Sequence, residues 1–161
     1  MKSPVKRSNP DWTKDLMKRF NLAASKEIAV GFPKGKAEAY PDGTSLIQVA
    51  IDNCYGTSRI PKRDFMTLAQ RGIQDSTKPI MAAIAKMVSK PQSSNIQAIE
   101  NLSEAAGIAG RDQIKKAIVD LKEPPNAPST IARKKGSDNP LIDTEHMHDS
   151  VTFVVRNRTR K

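Results

Sequence analysis

The sequence predicts an α+β fold: several helices packed on a small antiparallel sheet formed by an N-terminal and a C-terminal strand. Three observations lead there. The only strong strand-like runs are Glu27–Phe32 and Val151–Val155, near the two ends of the chain. Between them the apolar residues recur at helical spacing. Apolar residues make up 37% and aromatics 4%, so a small core must rest on Ile, Leu, Val, Ala and Met. A length of 161 residues fits one domain. We therefore divide the chain into a mobile basic arm or surface helix over 1–25 and a single α+β domain over 26–161. That domain carries a long proline-rich loop at 122–140.

In the N-terminal segment, Trp12, Leu16, Phe20 and Met17 suit one face of a short helix. Glu27–Phe32 (EIAVGF) reads as a strand closed by Pro33, with Gly31 marking a bulge or a close backbone contact. Residues 33–43, rich in Lys, Pro and Gly, read as an exposed loop, the tip of a hairpin being one form it can take. Leu46, Ile47, Ala50, Ile51 and Cys54 share a helical face, with Thr44 or Ser45 as its cap and Gly56 just past its end. Ile60-Pro61 is expected to be extended, because a residue before proline avoids the helical region. Asp64 then caps a helix starting at Phe65, in which Pro79 predicts a kink or break.

Ser94 and Gln97 have capping-box spacing and open the clearest helix, through Leu121. Its middle, Ala105 to Gly110 (AAGIAG), has little side-chain bulk, so a second backbone can approach it, from the same subunit or from a neighbour. Each glycine there costs roughly 1 kcal/mol against alanine, which close packing must offset. Residues 122–140 hold Pro124, Pro125, Pro128 and Pro140, with one helical turn expected at Ser129–Arg133. Loops this long in a compact domain are usually functional or disordered. Asp143 or Thr144 is expected to cap a short helix through Met147, before the final strand and Arg156, Arg158 and Arg160.

The chemistry of catalysis is thin. His146 and His148 stand two apart, and on a helix that spacing points them in different directions, so no metal is expected. Cys54, the single cysteine, lies on an apolar helical face and reads as an inert buried thiol. No phosphate loop and no nucleophile turn occur. We expect no enzyme activity and no cofactor. The net charge of +10 instead points to an anionic partner. No apolar run approaches the ~18 residues of a membrane span, so no membrane partner is expected.

Two segments carry a family resemblance. Asn53 to Met66 (NCYGTSRIPKRDFM) resembles the Asn-x-x-Gly-Thr…Ile-Pro-x-Arg-Pro-Phe-Leu/Met stretch of tailed-phage tail-completion and head–tail joining (neck) proteins. Pro124 to Gly136 (PPNAPSTIARKKG), Pro140 to Thr144 (PLIDT) and Ser150 to Phe153 (SVTF) are similar to that family's second motif. The order, with Gly31 to Pro33 ending the first strand, matches from about residue 27 to 155. Asp64 stands where the family usually has proline, and Glu145 where it usually has glycine.

The resemblance implies a structural protein made in the host bacterial cytoplasm and ending in the virion. It would form a six-fold or twelve-fold ring of identical copies at the neck or tail top. Its neighbours would be head–tail connector, tail-tube or tail-terminator proteins. On this reading Ile60, Pro61, Arg63, Phe65, Pro124, Pro125, Arg133, Lys134 and Lys135 are candidate subunit or partner contacts. Arg63 would reach a neighbour's carboxylate. Arg156, Arg158 and Arg160 are candidate contacts to passing DNA or another anionic partner, while Asp143 and Thr144 shape a local turn or cap. The alternative is a protein that binds nucleic acid non-specifically outside any particle, for which the basic charge serves equally.

Overall fold

A computed structural model describes residues 10–33, 35, 39–90, 96–134 and 138–158. The first helix, α1, spans Pro10–Ser25, so the segment expected as an arm or a surface helix is a helix from residue 10. The mobility expected of residues 1–9 lies outside the described residues. Strand β1 follows at once, Lys26–Gly31, and pairs antiparallel with β2, Thr152–Asn157, from Lys26 opposite Asn157 to Gly31 opposite Thr152. The two strands bracket every helix except α1 and form a two-stranded sheet. Among the described residues no strand follows β1 closely enough to make the 33–43 stretch a hairpin tip. Over residues 40–44 the chain makes a tight turn in which the Tyr40 N–H donates to the Thr44 carbonyl at 2.9 Å and Asp42 accepts from the Thr44 N–H.

Helix α2 spans Leu46–Tyr55, with Ser45 as its cap and Gly56 at φ 78° beyond it. Gly56 is needed there: a Cβ would come within 3.0 Å of the Lys62 backbone nitrogen. Helix α3 spans Phe65–Ser89, capped by Asp64, which accepts the Thr67 N–H at 3.0 Å. Pro79 does not break it. The carbonyl that the proline leaves unpaired, four residues back at Asp75, belongs to an exposed residue that water can serve.

Helix α4 spans Ile96–Asp120. Ser94, the expected cap, lies outside the described residues, and the Gln97 side chain donates to Asn101. Gly72 sits against Gln113, and Leu68 and Ala69 line one hollow with Lys116 and Ala117, so α3 and α4 run antiparallel. The small-residue stretch of α4 receives the sheet. Phe153 lies on Gly107, and Val30 lies on Gly110. Of the two partners that the sequence left open for this stretch, the one present is in the same subunit.

Two short helices complete the chain: α5, Pro128–Arg133, inside the long loop, and α6, His146–Asp149, before β2. The main core joins Leu46, Ala50 and Cys54 of α2, Phe65 and Ala69 of α3, and Ile114, Ala117 and Ile118 of α4 to Leu141, Met147 and Val151. Burial holds the Cys54 thiol's pKa above its ordinary value. This core occupies only one end of the α3–α4 pair. The other end, where α1 packs, is left outside it.

Candidate assembly surface

The segment after α2 doubles back tightly. Thr57 accepts the amides of Arg59 and Ile60 on its hydroxyl, and its own N–H meets the Ile60 carbonyl at 2.8 Å. The Arg63 N–H then bonds the Asn53 carbonyl at 2.6 Å. This return turns the Arg63 side chain inward, where it is 5% exposed. Its guanidinium donates to the carbonyls of Pro124 (2.8 Å) and Pro125 (2.9 Å) and to Asn126 Oδ1 (3.3 Å). Two consecutive prolines have carbonyls but no N–H, so they cannot join a backbone ladder and need a donor from elsewhere. A planar guanidinium with several fixed donors suits three closely spaced acceptors.

The rest of the long loop is tied down in the same way. Lys134 Nζ donates to the carbonyls of Asn139 (2.8 Å) and Ile142 (2.7 Å). Partial burial lowers the lysine's pKa from its ordinary value, and the Asp143 carboxylate opposes that shift. Asn139, almost wholly buried, donates to the Val119 carbonyl at 2.8 Å and so satisfies the last turn of α4 from outside the helix. Its other side-chain atom accepts the Leu141 N–H. Asn126 reaches the Asp138 and Asn139 carbonyls at 3.5 Å. Arg63, Asn126, Lys134 and Asn139 thus form a polar clasp joining the two motif-bearing segments.

Beside the clasp is a polar hollow of about 350 Å³, lined by Tyr40, Asn53, Lys134, Asp143 and His146 among others. The Tyr40 ring meets that of His146 at a tilt of 53°, with ring centres 4.6 Å apart. Burial raises the pKa of its phenol, with Asp143 and Asp42 adding to the shift. Among the described residues no group of three or more His, Cys, Asp or Glu could hold a metal ion. The lysine of the hollow is engaged by main-chain carbonyls, so the arrangement fixes loop geometry.

Several expected contacts are corrected. Phe65 is 0% exposed and meets Phe32 edge-on at 6.5 Å; it is the centre of the core, not an outward contact. Arg63 serves its own chain's carbonyls, not a neighbour's carboxylate. Lys134 likewise points into its own loop. Arg156 is paired with Glu27 across the sheet at 2.9 Å, and that pairing holds the Glu27 pKa below its ordinary value. Its charge is thus matched within the subunit. Neither Asp143 nor Thr144 caps α6. The capping position is Glu145, in the left-handed region at φ 61° with no side-chain cap bond.

The other candidates do reach the surface. Pro61, Pro125, Arg133 and Arg158 are exposed, and Ile60 and Pro124 are half-buried. Arg133 bonds the carbonyl of Ser129 in its own helix, and the Arg158 N–H bonds the Ser25 carbonyl. Lys135 and Arg160 lie outside the described residues. Asn126 and Asn139 were missed in the sequence. An asparagine before a proline, as at Asn139-Pro140, is a turn signal that could have flagged the second of them.

Two apolar surfaces remain uncovered by the described residues. One is a groove of about 570 Å³ between α1 and the second half of α3, lined by Leu16, Met17, Phe20, Met81, Ile84 and Val88 together with small residues. It opens because the buried residue of α1 is not on the expected apolar face. Arg19, 3% exposed, is drawn in by Asp15 at 3.1 Å and by the Lys90 carbonyl. Phe20 and Met17 are left 55% and 51% exposed. The other surface is a hollow of about 450 Å³ between α2 and the start of α3, with Ile47, Ile51, Tyr55 and Met66 at its rim. Comparison with protein-family models, with curated proteins and with solved structures finds no match for this chain.

Proposed function

We propose that the chain is a structural subunit of a tailed-phage virion. It is one copy of a homo-oligomeric ring at the neck or tail top that completes the tail or joins head to tail. The observation that carries this reading is the clasp. The two segments resembling the neck-protein motifs are about sixty residues apart in sequence, yet Arg63 of the first bonds Pro124, Pro125 and Asn126 of the second. Motifs that complete one another in space support the resemblance more strongly than either does alone. Uncovered apolar surfaces at two places suit a protein that finishes burying its surface against neighbours.

The test is the composition and imaging of purified phage particles. The reading expects the chain in a fixed small copy number, as a six-fold or twelve-fold ring beside connector, tail-tube or terminator proteins. Intact particles without the chain, whose purified form stays a lone monomer, overturn it. Nucleic-acid binding outside a particle rests on the net charge of +10. A salt series of DNA affinity separates the two, because tight binding with a steep salt slope and sequence preference favours that alternative.

A further inference from the structure

We infer that copies of this chain join head to tail, the α1–α3 groove of one copy receiving the α2 end of the next. The inference rests on the ring reading and names its interface. It also departs from the sequence expectation, because Arg63, Phe65 and Lys134 are spent inside the subunit. A ring of more than two copies needs two different patches on each subunit, since a patch that pairs with itself closes a dimer. Two such patches exist. The groove is marked by Met17, Phe20, Met81 and Ile84; the other surface by Ile47, Ile51, Tyr55 and Met66. They lie at opposite ends of α3. Met66 and Ile84 are eighteen residues apart on one helix, or about 27 Å at 1.5 Å per residue.

The areas fit. A half-exposed large side chain presents on the order of 100 Å², so the groove, with Met17, Phe20 and Met81, offers roughly 300 Å² of apolar surface and the α2 end, with four such side chains, roughly 400 Å². Together they supply about 700 Å², most of the apolar share of a standard interface of about 1,600 Å². Either patch alone already rivals the largest apolar patch of a typical monomer. Tyr55, 76% exposed, is the natural anchor, since exposed aromatics that become buried dominate interface energies.

The charges also differ in the required sense. After Asp75 the rest of α3 has no acidic residue and carries Lys78 and Lys86, while α1 adds Lys14 and Lys18 against Asp11, its Asp15 being tied to Arg19. Helix α2 has no basic residue and carries Asp52. Beside it, Asp64 is balanced by Lys62. A second copy presenting its α2 end to the groove brings unlike charges together, whereas groove against groove brings lysines together.

The experiment uses the full chain and follows association by sedimentation velocity and native mass spectrometry. Phe20→Glu in the groove and Tyr55→Lys at the α2 end each place a like charge opposite the neighbour. Each is expected to weaken self-association roughly 30-fold or more. Mixed in equal amounts, the two variants retain one intact pair of patches and set the carboxylate of Phe20→Glu opposite the ammonium of Tyr55→Lys at the other, so association lost by each variant alone should return in the mixture. Met17→Glu and Ile51→Lys repeat the design at second positions, with circular dichroism verifying the fold of all four. A photo-crosslinker at position 20 should join one copy to residues 47–66 of another.

Rings that persist in all four variants overturn the inference and leave the ring reading standing. Groove variants that stay monomeric beside Tyr55→Lys dimers show groove pairing with groove, and overturn it too. So do crosslinks from position 20 confined to the same copy. A wild-type chain that stays monomeric at high concentration also overturns it, and the particle-composition test then decides the ring reading separately.

Discussion

Replacing Gly107 by alanine tests how the sheet is seated on α4. In an open helix the change stabilises by about 1 kcal/mol, because alanine is the best helix former and glycine among the poorest. Here the new Cβ would stand 2.2 Å from Cδ2 and 2.7 Å from Cε2 of Phe153. Both the outer ring and its root, Cγ at 2.8 Å, are in the way, so rotating the ring cannot clear the space. The ring must retreat by about an ångström, carrying β2 with it, and such overpacking costs roughly 2–3 kcal/mol. The net expectation is a loss of about 1–2 kcal/mol, or roughly 3–6 °C in Tm for a chain of this size.

Gly110 is the control on the same helix face. Its added Cβ would meet Val30 Cγ2 at 3.1 Å, a contact relieved by a few tenths of an ångström. Gly110→Ala should therefore stay within about 0.5 kcal/mol of the parent, propensity and crowding nearly cancelling. Urea unfolding, with the slope checked for constancy, reads both. A cycle with Phe153→Ala closes the argument. Without the ring, Gly107→Ala should stabilise by about 1 kcal/mol, so its sign inverts and the coupling is about 2–3 kcal/mol. If Gly107→Ala stabilises the parent protein, Phe153 does not lie on α4 and the description of the sheet is wrong.

Changes at three further positions probe the clasp and the caps. Arg63→Ala leaves the Pro124 and Pro125 carbonyls without their donor and should cost about 2–4 kcal/mol, with faster amide exchange over 121–134; Arg63→Lys should recover less than half. A cost below about 1 kcal/mol would mean that the loop is held by other bonds. Asp64→Ala should cost about 1 kcal/mol as a lost cap. The Thr67 N–H, chiefly, holds the Asp64 pKa below its ordinary value. Its contribution is therefore complete above the unfolded value, near about pH 4, and is lost as the pH falls through the lower folded one. Asp64→Asn keeps the cap and should flatten that part of the acid titration of stability. Glu145→Gly should stabilise by about 0.5–1 kcal/mol in thermal unfolding, because φ 61° is a conformation that glycine adopts without strain. A decrease would show that the glutamate side chain has a role beyond its backbone.

The features legible in the sequence were those with local causes. The caps at Ser45 and Asp64, Gly56 after α2, and the two bracketing strands each follow from a few neighbouring residues. The AAGIAG stretch announced a close approach, but its partners, Phe153 and Val30, are set by tertiary packing that no local pattern encodes. Arg63 shows the limit most clearly. A lone arginine in a basic segment reads as surface, and the proline carbonyls that hold it inward lie about sixty residues away. Arg19 in α1 defeats helical periodicity in the same way, since a buried charge held by Asp15 and the Lys90 carbonyl takes the place expected of an apolar residue.

The separation between motif and surface has a consequence for function. Arg63, Asn126 and Lys134 work inside the subunit, fixing the return after α2 and the long loop. A resemblance carried by such residues speaks first for a shared fold. On the proposed ring reading, the choice of neighbour would fall instead to exposed apolar side chains, Phe20 and Tyr55 among them. Weakening the clasp and blocking the surfaces should therefore fail differently: Arg63→Ala by lowering stability before assembly is reached, Tyr55→Lys by leaving a well-folded subunit that does not associate.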